Sequence, residues 1–391
     1  MDDQTQATNT SEESREIPET VVKTKFNLKD FFSNNKKKII IISAIIVLII
    51  IIFVVGILVL RSNDRNKTAN SKTATQSASS SVSSQPETTA GLLTGLPLTD
   101  ANYANRHPLA VMIENHPDAR PQAGLVKADI VYEAIVEGGI TRFMAVYSSQ
   151  DADKIGPVRS ARQFYVDWAQ GYNAYYAHVG GHITALNEIK SDNVSDLNQF
   201  AYPAAFWRDY SQNVATEHTM FASVPKLYTQ ASQNGYSSDN TFSVYKFKDE
   251  TTETEKLNIP ETQTVTIPYG SKTYEAKFVY DKVTNSYKRF LNGAPHTDRV
   301  DKSQITVKNV IVMTVNRAPL TGVDKDTWTM TTVGSGKAKI FFDGQMIDGT
   351  WTKTSKKSRE IFYDQNNQEI KFDRGNFWIS VVPPDMTTTV N

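Results

Sequence analysis

The sequence predicts an α+β protein in which a single transmembrane helix and a flexible linker precede an α/β layered domain and then a mostly antiparallel β domain. Three observations lead to this fold class: an unbroken apolar run, a Ser/Thr-rich stretch after it, and a change from mixed to alternating hydrophobic spacing near residue 250. The predicted segments are a cytoplasmic disordered arm (1–38), the transmembrane helix (39–60), the linker (61–90), the α/β domain (91–247), a connector (248–262), the β-rich domain (263–385) and a frayed tail (386–391).

The apolar run has one polar residue, Ser43, and has the length of a membrane span. A helix of about 22 residues rises roughly 33 Å, which matches a hydrocarbon core of about 30 Å. The densest cationic cluster, Lys36 to Lys38, precedes the run, so the N-terminus is predicted to be cytoplasmic and the bulk of the chain extracytoplasmic. A cleaved signal peptide is the alternative, but the run is longer than such a segment and no small-residue cleavage site follows it. We therefore predict a single-pass protein of the cell membrane.

Composition excludes several function classes. Lys plus Arg and Asp plus Glu are both 42, so the chain has no net charge that would favour nucleic acid. The absence of cysteine excludes disulfides, thiol catalysis and lipidation on cysteine. No phosphate loop, dinucleotide-binding fingerprint or serine nucleophile elbow is present, and we predict no cofactor.

The α/β domain is predicted from alternating strand and helix patterns. Apolar runs predict strands at 109–113, 140–147 and 175–179. The segment 128–137 fits either a strand or a helix, and we favour a strand. Apolar residues at helical spacing predict helices at 161–168 and at 183–189. Gly171 is expected to end the first of these helices.

The β-rich domain is predicted from alternating hydrophobicity. Such patterns occur at 265–267, 274–280, 305–315, 328–333, 339–342 and 377–382. Three dipeptides typical of turns punctuate them: Asn292-Gly293, Asp343-Gly344 and Asp348-Gly349.

An arginine and glycine cluster predicts an anion site in the α/β domain. Residues 156–162 read GPVRSAR, with Arg159 and Arg162 beside a predicted helix start that Ser160 would cap, and Arg142 is expected nearby. Guanidinium groups and a helix N-terminus together suit phosphate or carboxylate. The same arginines could instead form ion pairs that hold the fold together. The remaining predicted ligand-binding residues are Gly180, Gly181 and Arg208, with His178 as a further neighbour.

Acid-base or metal chemistry is a second possibility for this domain. The candidate catalytic residues are His178, His218, Asp209 and Glu137. His178 and His182 are separated by two glycines, which break the helix on which a metal-binding histidine pair normally lies, so no metal ligands are predicted. Structural, hydrogen-bonded roles are the alternative for these histidines, and His116 is interpreted as a turn residue.

Several motifs resemble the YerB-like lipoprotein family, whose two halves are domains of unknown function. The motifs are MIENHPDARPQ (112–122), DIVYE (129–133), EGGITRF (137–143), GPVRSAR (156–162), HVGG (178–181), WRD (207–209), VGSGKA (333–338), DGTW (348–351) and FWISVVP (377–383). The resemblance spans residues 93–384 and implies an exported protein held at the cell surface by a lipid on cysteine. This chain has no cysteine, so we expect the transmembrane helix to replace that lipid.

These observations lead to three functional hypotheses. The first is binding of an anionic cell-envelope ligand, either a phosphate- or carboxylate-bearing wall polymer or its lipid-linked precursor. The second is an envelope hydrolase or transferase. The order of anchor, linker and α/β domain is also similar to that of the LytR-CpsA-Psr transferases, although no motif matches theirs. The third is a surface scaffold that binds another protein, whose identity the sequence does not indicate, through an exposed strand edge.

Overall fold

The computed structural model describes residues 89–320 and 327–391. The predicted cytoplasmic arm, the transmembrane helix and nearly all of the linker lie outside these residues. Within the two described ranges, no helix is both long and apolar enough to cross a membrane.

The described ranges contain few helices and many strands. The α-helices are α1 (Gln163–Gly171), α2 (Ile183–Ser191), α3 (Val224–Gln233) and α4 (Glu253–Lys256). The strands of the first half are β1 (Leu109–Glu114), β2 (Ile130–Ile135), β3 (Thr141–Tyr147), β4 (Tyr175–His178), β5 (Asp196–Asn198), β6 (Phe206–Arg208), β7 (Met220–Ala222) and β8 (Lys246–Phe247). Those of the second half are β9 (Thr264–Ile267), β10 (Ala276–Asp281), β11 (Ser286–Leu291), β12 (Ala294–Pro295), β13 (Thr306–Val307), β14 (Asn309–Thr314), β15 (Arg317–Pro319), β16 (Trp328–Met330), β17 (Gly334–Phe342), β18 (Gln345–Lys353), β19 (Ile361–Tyr363), β20 (Lys371–Phe372), β21 (Phe377–Val382) and β22 (Thr389–Val390).

A ten-stranded mixed sheet forms the centre of this mixed α+β fold. Its order is β19-β18-β17-β14-β21-β2-β3-β1-β4-β5. Strand β21 pairs in parallel with both β14 and β2, so strands from the two halves of the chain share one sheet. The central sheet therefore contains strands from both sides of the predicted connector at 248–262.

The two faces of the central sheet pack against different layers. One face contributes Met112, Tyr132 and Met144 to a core that includes Phe164 and Trp168 of α1. The opposite face packs against the second sheet, whose order is β12-β11-β10-β9-β22, and against α3. Burial of apolar surface on both faces is the main favourable term for this arrangement. The alternation of side chains along each strand decides which residue reaches which layer.

Most predicted elements match those observed. Residues 130–135 form strand β2, which confirms the preference for a strand over a helix at 128–137. The predicted turn at Asp348-Gly349 is wrong, because both residues lie within β18. A Cβ on Gly349 would lie 2.2 Å from the carbonyl oxygen of Tyr363 on the neighbouring strand. This glycine therefore serves a close backbone approach instead of a turn.

Candidate functional site

A cleft opens at one edge of the central sheet, where three parallel strands end. Strands β1, β2 and β4 run in the same direction, and β3 is antiparallel to β1 and β2. Glu114 at the end of β1 and Arg142 near the start of β3 therefore meet at this edge. Ligands commonly bind beyond the carboxyl ends of parallel strands, where loops converge. The cleft has a volume of about 750 Å³.

Most of the predicted site residues converge on this cleft. It is lined by Arg142, Arg159, Ser160, Arg162, Gly181, Glu137 and His218, among others. An adjoining cleft of about 440 Å³ is lined by Gly180 and Arg208, and it shares Arg159, Ser160 and Gly181 with the first. All the predicted ligand-binding residues therefore line two connected depressions. We call them together the arginine cleft.

The local structure around Ser160 differs from the prediction. Helix α1 begins at Gln163, and its N-cap is Arg162 without a side-chain cap hydrogen bond, so the predicted capping role of Ser160 is wrong. The preceding segment is extended instead. The Arg159 amide donates to Met112 O at 2.9 Å, and its carbonyl accepts from the Val179 amide at 3.0 Å. These bonds hold the segment across the ends of β1 and β4, which places Arg159 at the cleft.

Arg142 is the most deeply buried cation of the cleft. Its side chain is only 5% exposed, and its Nη1 donates to the carbonyl oxygen of Ser160 at 3.0 Å. Its Nε has no hydrogen-bond partner among the described residues. No carboxylate oxygen of those residues lies within 4.0 Å of the guanidinium. Burial, and then the positive charge of Arg162, lower the pKa of Arg142 to about 10.

Arg162 differs from Arg142 because a carboxylate balances its charge. Its Nη2 donates to Glu137 Oε2 at 2.7 Å, and its Nε donates to the other carboxylate oxygen. Burial alone would raise the pKa of Glu137, but the hydrogen bonds and charge of Arg162 outweigh it, so the pKa lies below its ordinary value. A ligand anion would therefore have to compete with Glu137 for the guanidinium of Arg162.

Arg159 and His218 share the buried carboxylate of Glu114. Arg159 Nε lies 3.0 Å from Glu114 Oε2, close enough for an ion pair but without hydrogen-bond alignment. His218 Nδ1 lies 2.8 Å from the same oxygen. The exposed carboxylate of Glu217 also lines the cleft, at its rim. Glu114 and Glu137, the two more buried carboxylates of the cleft, thus already have cationic partners. Arg142 has no carboxylate partner among the described residues.

Two of the predicted residues do not line the cleft. His178 is fully buried, with Nδ1 2.6 Å from Gly180 O and Nε2 2.8 Å from Asp196 Oδ1. Asp209 forms an ion pair with Lys154 instead. The expectation that His178 completes the pocket is therefore wrong. Its ring supports the Gly180 turn from the protein side.

The two glycines of the cleft are needed for different reasons. Gly180 has a φ of 55°, in the left-handed region that residues with a Cβ rarely adopt. A Cβ on Gly181 would lie 3.0 Å from the Cβ of Ala161, on the segment that precedes α1. Gly181 therefore permits the close approach that keeps this segment beside the end of β4.

Sequence reasoning missed the residues that surround His218. His116, interpreted as a turn residue, stacks its ring on that of His218 with centroids 4.8 Å apart and planes 6° from parallel. Glu114 was also missed, because it reads as the last residue of an apolar strand. Both residues belong to the MIENHPDAR motif, and this was the signal in the sequence that could have identified them.

The fold and the cleft define a mixed α+β protein with an arginine-lined cleft at the carboxyl edge of its central sheet. Residues 93–237 match the family described as "Protein of unknown function (DUF3048) N-terminal domain", and residues 265–379 match its C-terminal domain. The chain belongs to this DUF3048 family, which confirms the resemblance inferred from its motifs.

Two comparisons with a Bacillus subtilis protein support the same family assignment. The chain is 31% identical over 296 residues to "Putative lipoprotein YerB" of strain 168, which covers 74% of this chain and 85% of the relative. The crystal structure of YerB matches with a TM-score of 0.67 and 28% identity, over 77% of this chain and 99% of that one. The relationship therefore extends through both halves of the fold.

Proposed function

We propose that this protein is anchored in the cell membrane and binds an anionic cell-envelope ligand in the arginine cleft. The ligand class is a phosphate- or carboxylate-bearing wall polymer or its lipid-linked precursor. The observation that carries the proposal is Arg142, a buried guanidinium that lines the cleft and has no carboxylate partner among the described residues. A buried charge is costly unless it is paired, and a ligand anion would supply the missing charge.

The neighbouring side chains suit such an anion. Arg159 and Arg162 are 27% and 15% exposed, so their guanidinium groups are accessible from the cleft although each has a carboxylate partner. Guanidinium groups bind phosphate and carboxylate through paired, charge-assisted hydrogen bonds. Three arginines around one cavity can therefore contact several oxygens of the same ligand.

The proposed anchor is the apolar run at 39–60, with the described residues outside the cytoplasm. Its length and its flanking cations support this topology. The name of the Bacillus subtilis relative describes a lipoprotein, a class held at the membrane by a different device. Protease treatment of intact protoplasts should degrade the region after residue 90. Protection of that region until the cells are lysed would contradict the topology.

The binding proposal is tested by titrating the full chain, in detergent micelles, with inorganic phosphate and with a poly(glycerol phosphate) fragment. We expect the Arg159→Ala, Arg162→Ala double variant to bind at least about tenfold more weakly, since each lost charge-assisted contact contributes about 1.5–3 kcal/mol. Arg374→Ala is the matched control, because Arg374 pairs with Asp249 and does not line the cleft. Equal binding by wild type and double variant would exclude the site. A loss of folding stability without a loss of affinity would indicate purely structural arginines.

One observation favours a second candidate function, an envelope hydrolase or transferase. The contact between His218 Nδ1 and Glu114 fixes the imidazole and leaves Nε2 available for proton transfer within the cleft. Of the other predicted catalytic residues, Glu137 is paired with Arg162, and His178 and Asp209 lie elsewhere. Turnover of wall polymer that His218→Gln abolishes would support this candidate, and its absence under the same conditions would count against it.

A further inference from the structure

Two histidines that line the arginine cleft form a cluster with Asp118 that the proposed anion binding does not require. His116, Asp118 and His218 each offer one potential ligand atom, and these atoms lie within 4.8 Å of one another. His116 precedes the 3-10 turn Pro117–Ala119, and His218 ends the 3-10 turn Thr216–His218. Two turns far apart in sequence thus bring two imidazoles and a carboxylate together. We propose that this cluster is a binding site for one divalent transition metal ion, best matched by Zn²⁺.

The donor set fits zinc in kind, and its atoms lie near the spacing that zinc requires. Imidazole nitrogen and carboxylate oxygen are its common ligands, at about 2.0–2.2 Å, so ligand atoms in a tetrahedral shell lie about 3.4 Å apart. His116 Nδ1 already lies 3.7 Å from Asp118 Oδ2. These two side chains are 35% and 59% exposed, so there is solvent space in which they can turn towards an ion shared with His218.

The surroundings of His218 resemble the second shell of a metal site. Glu114, which is 3% exposed, contacts His218 Nδ1 at 2.8 Å, so Nε2 is the nitrogen of this ring that remains for a metal ion. A carboxylate behind a histidine ligand fixes the orientation of the ring and increases its basicity, and this arrangement is typical of zinc-binding histidines. The ring of His116 is stacked on that of His218, so the second imidazole already lies beside the first. Because a metal ion lies in the plane of each imidazole that binds it, His116 would turn out of this stack when the ion binds.

The site would be open on the side of the cleft. Three protein ligands leave a fourth coordination position, which is the pattern of sites that also bind water or a substrate oxygen. His116 and His218 line the same cavity as Arg142 and Arg159, so an ion here would add positive charge beside them. The inference of metal binding does not depend on the proposed anion ligand.

The test is calorimetric titration of the full, tag-free chain in detergent micelles with ZnCl₂, in a phosphate-free buffer. We expect one ion per wild-type chain, and at least tenfold weaker binding by His116→Ala and by His218→Ala. Glu114→Gln should weaken binding about 10–100-fold, as expected for loss of an outer-shell partner. His182→Ala is the matched control, because His182 lines the same cleft outside the cluster and should bind zinc as wild type does.

A spectroscopic measurement keeps the result independent of folding defects. Co²⁺ bound in a tetrahedral site gives an intense visible absorption band, which His116→Ala should lose while its circular dichroism stays unchanged, since His116 is a surface residue. Zinc binding by His116→Ala equal to that of wild type would overturn the proposal. So would equal weakening by His182→Ala. Because no phosphate is present, a negative result for anion binding would leave this one untouched.

Discussion

Two arginines are buried on opposite faces of the central sheet, and they differ in what balances their charge. Arg289 of β11 is fully buried, and its Nη2 donates to Glu133 Oε2 at 2.8 Å. Its guanidinium also lies 4.2 Å from the centre of the Trp378 ring. Arg142 is almost as deeply buried and has no carboxylate within ion-pair distance among the described residues. Arg289 thus joins the two sheets, whereas no carboxylate among the described residues balances the charge of Arg142.

The period of the strands explains this division. Glu133 shares a face of β2 with Val131 and Ile135, and that face packs against the second sheet, from which Arg289 reaches it. Arg142 shares a face of β3 with Met144, on the side of α1, and lies at the end of the strand where the sheet opens. At the edge Arg142 lines the open cleft, whereas between the two sheets Arg289 is reached only by protein groups.

The largest expected effect is on stability, at the central pair. Arg289→Met leaves Glu133 as an uncompensated buried charge, so we expect a loss of about 3–5 kcal/mol in the free energy of unfolding. Urea denaturation followed by circular dichroism measures it. The double variant Glu133→Met, Arg289→Met should lose less than the two single variants combined. Additive losses would show that the pair is not coupled.

The opposite outcome is expected at the edge. Arg142→Met removes a buried charge that no carboxylate in the described part of the chain balances, so the free energy of unfolding should stay within about 1 kcal/mol of wild type or increase. Affinity for phosphate should fall at least about tenfold, or about 1.4 kcal/mol. Denaturation and calorimetric titration of the same sample separate the two effects. A strongly destabilised variant would place Arg142 in the same class as Arg289.

A smaller effect is expected at the glycine turn beside the cleft. Gly180→Ala forces a Cβ into a left-handed conformation, at a cost of about 1–2 kcal/mol. It also brings that Cβ to 3.0 Å from the Phe200 ring. Gly235→Ala is the matched control, since Gly235 has a φ of 69° and no atom within 4 Å of the added Cβ. Both variants should lose similar stability, but only Gly180→Ala should also lose affinity for phosphate.

The smallest effect is expected for the partly exposed pair of Glu137 and Arg162. Glu137→Gln frees Arg162, so affinity for phosphate should rise about two- to threefold, while less than about 1 kcal/mol of stability is lost. The pKa of Glu137 is lowered in the folded state, so its contribution is present above pH 4.5 and disappears as the pH falls through the folded pKa. Wild type and variant should therefore converge in stability at low pH. A constant difference from pH 7 to 3 would contradict the ion pair.

The sequence was sufficient to predict that these arginines lie close together, but not to predict which residues they contact. Arg159 and Arg162 belong to one short motif, and residues close in sequence at the end of a strand remain close in space. The partnership of Glu114 with His218 joins segments about a hundred residues apart, which no local pattern specifies. His178 illustrates the same limit, because spacing cannot distinguish a histidine facing the cleft from one beneath it.

Local sequence patterns also could not predict which strands pair with one another. Alternation predicted β21 correctly as a strand, but alternation is the same whether a strand joins its own half or another. Its insertion between β14 and β2 made one sheet of what the sequence predicted as two domains. Gly349 shows a related limit, since a glycine placed for contact with a neighbouring strand looks like a turn residue in sequence.

The position of β21 has a consequence for the order of assembly. Among the described strands only β22 follows β21 in sequence, yet β21 lies in the middle of the central sheet. Until β21 has been synthesised, β2 and β14 lack the strand that joins them, so the central sheet cannot be completed. Long-range closure of this kind slows folding. The extracytoplasmic location proposed above would require the chain to cross the membrane before it folds, and late completion of the central sheet would suit that order of events.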